Sequence, residues 1–574
     1  MSTDQAHRSR WDALRVRYPD DLVTTFRDAG LWGTRTLGEE LHAAALRFAD
    51  RDAVVAAEGR LTYAELDART DRIAAGLAGT GLEPGDPVIV QATNRLETVI
   101  AWYAMLKAGL VPVATLAAHR GHEVGQISRT VGARAHLVEA GLSHGRSLGG
   151  IDLVAFAVEQ ARDHPTLGRI LVLGADGPLP DDAVDLLELG TEIDPADARA
   201  RVEAIQSGLN PDDVAVFQLS GGTTGVPKLI PRAHAEYWYN ARAYAGTLGW
   251  TEHDRVGHLI PVIHNAGVVC GVHAPHTVGA CLVLTGHDLD TALPLLAAER
   301  TTSVLFGHVH YRAPDHPAYP ELARSLRIVV LSGAKVSEDL FATVTGHGAW
   351  VGQLFGMAEG LFLVTPLGTS PELRRTTVGV PISTHDEVVL LEPGTEEPVP
   401  DGGVGELCAR GPYTLRGYYA AEERNVPGAE GGAFTSTGFY RTGDLAAVRL
   451  LDGYRAISIE GRIKDLINRG GEKINAEEVE LLLLRHPRIV EAALVAMPDP
   501  RLGERGCAFV VTDGTPITLD DVRAHLRALE VATFKWPERV EVVAEMVRTR
   551  IGKLDKKAMA ADITETLRAE GALT

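Results

Sequence analysis

Short apolar runs alternate with helix-forming stretches along most of this 574-residue chain, and that alternation restricts it to helix-covered sheets. The runs Pro87–Val90, Val111–Leu116, Ala135–Val138, Ile170–Leu173, Val214–Leu219, Ala280–Leu284, Ser303–Phe306 and Ile328–Leu331 are each only a few residues long. Between them lie helical segments such as Glu97–Lys107 and the one opened by the capping box Thr62-Tyr63-Ala64-Glu65. Strands without polar alternation, joined by helices, are those of a parallel sheet buried on both faces. The length exceeds what one hydrophobic core supports, so more than one domain is expected. Residues 1–50 are polar and helix-like, with Trp11, Tyr18 and Trp32 as packing anchors.

From about Val378 the pattern changes to short strands and Gly/Pro turns, at Glu387–Glu392, Gly405–Arg410 and Tyr454–Ile459, which predicts a β-rich subdomain over about 378–460. After Gly461-Arg462-Ile463-Lys464-Asp465 the pattern is α+β: helix 476–485, strands 489–497 and 506–511, helix 519–529. The expected organisation is α/β, with an N-terminal core over 1–463 and a small C-terminal α+β domain over 464–574. A net charge of −20 argues against nonspecific nucleic-acid binding, which needs a basic surface. Cys270, Cys281, Cys408 and Cys507 are too sparse for a disulfide framework and read as reduced thiols. The start Met1-Ser2-Thr3-Asp4-Gln5 lacks the basic and apolar regions of a signal peptide. The apolar stretch Thr98–Ala118 is interrupted by Lys107, Gly109 and Pro112. A cytoplasmic, membrane-free protein is expected.

The chemistry concentrates where Val214–Leu219 ends. Ser220-Gly221-Gly222-Thr223-Thr224-Gly225-Val226-Pro227-Lys228 combines three glycines, three hydroxyls and a lysine. Glycines let the backbone approach a ligand and turn consecutive N–H groups toward one anion, and the hydroxyls and Lys228 add donors, so the segment is suited to a triphosphate. It is not a Walker A loop: Pro227 precedes the lysine and no Ser or Thr follows it.

This segment resembles the phosphate loop of the adenylate-forming superfamily, which includes acyl-CoA synthetases, luciferases and the adenylation domains of nonribosomal peptide synthetases. Four further motifs follow in that family's order. Phe355-Gly356-Met357-Ala358-Glu359 resembles the motif whose aromatic residue flanks adenine and whose glutamate holds Mg²⁺. Tyr440-Arg441-Thr442-Gly443-Asp444 resembles the one whose aspartate binds the ribose hydroxyls. Gly461–Asp465 resembles the interdomain hinge at Lys464, about which a mobile C-terminal domain rotates. Arg548-Thr549-Arg550-Ile551-Gly552-Lys553 resembles the motif carrying the catalytic lysine. The resemblance implies an ATP site of Ser220, Gly221, Gly222, Thr223, Thr224, Gly225, Lys228, Gly333, Ala334, Phe355, Gly356, Met357, Asp444 and Arg462. It implies Mg²⁺ at Glu359 and Thr224, catalysis by Lys553 and His264, and a thiol passage at Gly470 and Gly471.

More narrowly, Arg410–Tyr419, Ile467–Lys473, Leu502-Gly503-Glu504-Arg505 and Ala118-His119-Arg120 resemble the stand-alone aryl-acid ligases of siderophore assembly, which activate salicylate or 2,3-dihydroxybenzoate. The implied acyl pocket holds His264, Asn265, Ala266, Gly267, Cys270, Gly307, His308 and Gly333. Asparagine in that family contacts the ortho substituent of the ring. Ala266-Gly267 replaces the family's aromatic–proline pair, which is expected to open one wall to a bulkier acid. Cys270 is the salicylate-type residue where dihydroxybenzoate enzymes carry serine. The spacing Cys270-x-x-His273-x-x-His276 also invites a zinc reading but lacks a fourth ligand, and pocket lining explains it better. The implied acceptor of the acyl group is the phosphopantetheine thiol of a separate aryl carrier protein, with coenzyme A as the alternative.

Overall fold

A computed structural model of the chain describes residues 18–141, 152–175, 177–220, 227–333, 336–429, 431–470, 472–529, 531–549 and 553–573. Trp11, Gly221, Gly222, Thr223, Thr224, Gly225, Ala334 and Gly471 lie outside them. The chain divides into two compact units, one of residues 1–387, 409–440 and 451–456, the other of 388–408, 441–450 and 457–574.

The first unit is built on two sheets. One has nine strands, in the order Val380–Pro381, Leu361–Val364, Trp350–Met357, Ile328–Ser332, Ser303–Gly307, Arg255–His258, Cys281–Leu284, Asp52–Ala56, Gly59–Thr62. The other has seven, in the order Ala183–Asp185, Arg169–Leu173, Ala135–Glu139, Pro87–Gln91, Val111–Ala114, Val214–Leu219, Leu229–Ala233. Their centres are parallel, as the apolar runs predict, but at three of the four edges strands run antiparallel to a neighbour: Gly59–Thr62, Leu361–Val364 with Val380–Pro381, and Leu229–Ala233; Ala183–Asp185, at the fourth edge, is parallel. Leu229–Ala233 pairs antiparallel with Val214–Leu219, so the strands on either side of segment 220–228 run in opposite directions.

One large apolar cluster takes side chains from both sheets, among them Val88 and Val90 of the seven-stranded sheet and Val54 and Leu282 of the nine-stranded one. The helix Leu96–Lys107 contributes to this cluster and is buried on nearly every face, which accounts for its lack of a polar stripe. Lys107 at its end is fully buried, and its ammonium is neutralised by Asp67 at 2.5 Å and Asp71 at 2.6 Å. The Thr62 capping box forms with both of its reciprocal bonds. Among the anchors of the first fifty residues, Tyr18 and Trp32 stack edge-to-face at 4.9 Å, and Trp32 Nε1 donates to the Pro412 carbonyl.

The β-rich segment forms a four-stranded sheet, Glu387–Leu391, Val404–Arg410, Tyr440–Leu451, Tyr454–Arg462. In the second unit the chain continues into Glu472–Asn475, Leu466–Arg469, Gly503–Thr512 and Ile489–Asp499, with Arg539–Val542 parallel to Gly503–Thr512. The helices Ala476–Leu483, Leu519–Ala528 and Lys556–Ala569 cover this sheet's apolar clusters. Among the described residues no helix is long and apolar enough to cross a membrane.

Candidate active site

The strands on either side of the Gly/Thr segment are tied together where they meet it. Ser220 N donates to the Lys228 carbonyl and Lys228 N donates to Ser220 Oγ, both at 3.0 Å. Lys228 Nζ then lies 4.4 Å from the ring centroid of Tyr418, a cation–π distance. Partial burial, followed by the like charge of Arg424, lowers its pKa, and Glu359 opposes them.

Tyr418 joins this lysine to the Phe355–Glu359 motif. Its hydroxyl donates to Glu359 Oε1 at 2.9 Å and shares a second 2.9 Å bond with the Tyr440 hydroxyl. Burial, then the Glu359 charge, pushes the Tyr418 phenol pKa well up, so it remains a donor. Glu359 sits in the turn between Trp350–Met357 and Leu361–Val364, and 413–415 fix that turn. Leu415 N donates to the Glu359 carbonyl at 2.7 Å, and Thr414 Oγ1 to the Gly360 carbonyl at 2.9 Å. Met357 and Ala358 pack on the cluster of Ile230, Leu415, Tyr418, Phe434 and Tyr440, while Phe355 is half-buried and Gly356 exposed.

The acyl-pocket segment follows Arg255–His258. Asn94 pins it, accepting from Val262 N at 2.6 Å and donating to the Ile260 and Thr285 carbonyls. His264 is exposed, and its Nδ1 accepts from Ala266 N at 3.3 Å. Asn265 is 3% exposed, and its Oδ1 accepts from Tyr237 OH at 3.0 Å and from Arg232 Nη1 at 3.4 Å. Gly267–His273 is a turn of π-helix, a form found often at functional sites.

Backbone fills the space beside Gly267: a Cβ there would meet the Pro261 carbonyl oxygen at 2.2 Å and Val262 Cα at 2.7 Å. The aromatic side chain that the pair lacks belongs to the position of Ala266, which is half-buried. Cys270 is buried in the main cluster and burial pushes its thiol pKa up, leaving a neutral, apolar wall. His273 and His276 both face the Tyr103 hydroxyl, at 3.2 and 2.7 Å, and His276 Nε2 pairs with the Ala53 carbonyl. Their bonds are those of a core network, and among the described residues no three His, Cys, Asp or Glu gather as metal ligands. Gly307 ends its strand, with His308 half-buried in the 3₁₀ turn that follows. A Cβ at Gly333, φ +95°, would lie 3.2 Å from His308 Nδ1, so these two candidates adjoin.

Sequence reasoning passed over Arg232, Glu236, Tyr237 and Gln218. Arg232 is 1% exposed and bonds Glu236 in two parallel 2.8 Å contacts, while Nη1 also donates to the Ala358 carbonyl at 2.8 Å. Burial works against its charge, but Glu236 outweighs it and holds the pKa above the ordinary arginine value. One guanidinium therefore touches both the Asn265 side chain and the backbone beside Glu359. Its sequence signal is only an Arg–Glu pair four residues apart, which an exposed helix would show equally.

In the second unit, Asp444 is buried and pairs with Arg462 Nε at 2.8 Å. Lys553 is exposed by surface area. Even so, the protein around its head group, then the like charges of Arg462 and Lys464, lowers its pKa against the pull of Asp444. Lys464 lies in the 3₁₀ turn Ile463–Asp465, and Gly470, φ +60°, donates its N–H to the Leu502 carbonyl at 2.8 Å.

The family described as AMP-binding enzyme matches residues 41–419, and the AMP-binding enzyme C-terminal domain matches 478–553. A Streptomyces protein named salicylyl-CoA synthase / salicylate adenylyltransferase is 41% identical over 558 residues, covering 95% of this chain and 96% of its own. A Mycobacterium tuberculosis protein named salicyl-AMP ligase / salicyl-S-ArCP synthetase is 38% identical, covering 96% and 94%. The apo structure of MbtA from Mycobacterium smegmatis superposes with a TM-score of 0.66 at 34% identity, over 96% of this chain and 99% of that one. By sequence along nearly its whole length, and by fold, the chain belongs to the AMP-binding enzyme family.

Proposed function

We propose that this enzyme uses ATP to activate an aromatic carboxylic acid, of the 2-hydroxyaryl class, as its acyl-adenylate, and then passes the acyl group to a thiol. The observation that carries the reading is the node at Tyr418: its ring takes the Lys228 ammonium and its hydroxyl takes Glu359. A phosphate-binding cation and a metal-binding carboxylate thus flank one phenol at the Lys228 end of segment 220–228. The names of the salicylate-directed relatives support the class of acid.

The substrate carboxylate oxygen attacks the α-phosphorus, the carboxyl–phosphate bond forms, and the bond to the β-phosphate oxygen breaks with its electron pair leaving on pyrophosphate. Little acid–base chemistry is needed, so alignment and charge neutralisation dominate. Segment 220–228, Lys228 included, holds the phosphates. Lys553 neutralises charge developing between carboxylate and α-phosphate, Asp444 takes the ribose hydroxyls, and Phe355 flanks adenine. His264 and Asn265 position the acid, with Cys270, His308 and Gly333 lining its pocket. Glu359, joined by Thr224, would hold Mg²⁺, which when bound stabilises the departing pyrophosphate. A single carboxylate and a hydroxyl are hard oxygen donors, and Mg²⁺ commonly sits on one or two such groups plus substrate phosphates.

For the second half-reaction Lys464 serves as the pivot of the small domain, and Gly470 and Gly471 as the passage for the thiol. The acceptor in the first reading is the phosphopantetheine of a separate aryl carrier protein. Coenzyme A is the second, favoured by the name of the 41%-identical relative. Incubating enzyme, aryl acid and ATP with each acceptor and measuring thioester separates them. Thioester on the carrier with none on coenzyme A supports the first reading, and the reverse overturns it.

A further inference from the structure

Asn265 has two different ends, and its neighbours settle which one the protein itself takes. Arg232 can only donate hydrogen bonds, so the atom it faces at 3.4 Å is the amide oxygen. Tyr237 enforces the same choice. Its hydroxyl accepts from Gln218 Nε2 at 3.1 Å and directs its own proton to Asn265 Oδ1 at 3.0 Å. Burial keeps the Tyr237 phenol protonated, so that proton is available throughout the neutral range. Arg232 is itself immobilised by Glu236 and by the Ala358 carbonyl. Both donors converge on Oδ1, and among the described residues no acceptor is paired with Nδ2. The amide is locked with its N–H₂ end outward.

Resting on the aryl-acid reading above, we infer that Arg232 and Tyr237 are positioning residues that fix Asn265 as a hydrogen-bond donor, and so select acids bearing an acceptor ortho to the carboxylate. A phenol oxygen or a ring nitrogen qualifies. The ortho hydroxyl of a salicylate-type acid donates inward to its own carboxylate and turns a lone pair outward to Nδ2. The ortho amine of 2-aminobenzoate also donates inward, but its second N–H points outward and meets Nδ2–H donor to donor. Because Arg232 also holds the Ala358 carbonyl, the orientation of the ring contact and the backbone beside Glu359 are set by one buried group.

The test measures ATP–pyrophosphate exchange as kcat/KM for 2-hydroxybenzoate and 2-aminobenzoate, with wild type, Tyr237→Phe and Asn265→Asp. Wild type should prefer the hydroxy acid by about tenfold or more, the size of one buried hydrogen bond. Tyr237→Phe, which keeps the ring and its packing, should lower that ratio several-fold through the acid's KM while leaving the KM for ATP unchanged. In Asn265→Asp one carboxylate oxygen takes Arg232 and the other faces the ligand as an acceptor, so the ratio should invert toward the amino acid. An unchanged ratio in both variants, or a wild type that prefers 2-aminobenzoate, overturns the inference while leaving the aryl-acid reading intact. A wild type that exchanges with no aryl acid overturns both. Melting temperatures of the variants within a few degrees of wild type exclude unfolding as the cause.

Discussion

Lys228 and Lys553 both carry ammonium groups held below the ordinary lysine pKa, and for partly different reasons. Partial burial and Arg424 act on Lys228, whereas around Lys553 the surrounding protein is joined by two like charges, Arg462 and Lys464. A cation crowded by cations is poised to gain an anionic partner, as a lysine that neutralises a transition state would. Replacing Lys553 by alanine is expected to reduce acyl-adenylate formation at least about a hundredfold, the scale of removing one group that stabilises developing charge. ATP binding measured by calorimetry should change little. Near-normal pyrophosphate exchange by that variant would contradict the role. Lys553, Asp444 and Glu359 could be picked out as candidates from the sequence because each sits in a short motif with a distinctive order. Arg232 could not, since a buried guanidinium differs from a surface one only in what surrounds it.

The turn between Trp350–Met357 and Leu361–Val364 is the element on which the site most depends, for it presents Glu359. Gly360 adopts φ +101°, and a Cβ there would lie 1.8 Å from the Tyr413 carbonyl oxygen. Gly360→Ala must therefore push the 413–415 segment away and break the bonds that hold Glu359 and Tyr418 together. A destabilisation of at least about 1–3 kcal/mol is expected from the backbone strain alone, read as a lower urea midpoint, with a larger loss of exchange activity than of ATP affinity. A variant as stable and active as wild type would show that the turn has slack. The strands and most helices were legible because apolar periodicity survives in any environment. Leu229–Ala233 was not, because Pro231 and Arg232 break its apolar pattern, and periodicity in any case carries no strand direction. That is why the antiparallel pairing on either side of 220–228 appears only in three dimensions. Gly267 shows the same limit: an absent side chain can mean open space or an intruding backbone, and only contacts tell them apart.

At the scale of the whole molecule, burial of neutral imidazoles sets how the fold responds to acid. Desolvation lowers the pKa of His136, His234, His258 and His273 to about 3 and of His276 to about 4. An unfolded imidazole titrates near 6.5, so below that pH the unfolded chain takes up protons that the fold excludes. The stability these groups contribute is whole above about pH 6.5 and falls as pH drops toward 4, by up to about 1.4 kcal/mol per histidine per pH unit. Thermal melts should therefore show a marked decrease between about pH 7 and pH 5.5, and a flat profile would contradict neutral burial. The most direct test of the central claim is ATP–pyrophosphate exchange by the purified chain across a panel of carboxylic acids, with salicylate, 2,3-dihydroxybenzoate, 3-hydroxypicolinate and bicyclic hydroxy acids beside aliphatic and amino acids. Exchange stimulated by one or more 2-hydroxyaryl acids is the result predicted, and exchange supported only by aliphatic or amino acids would contradict it.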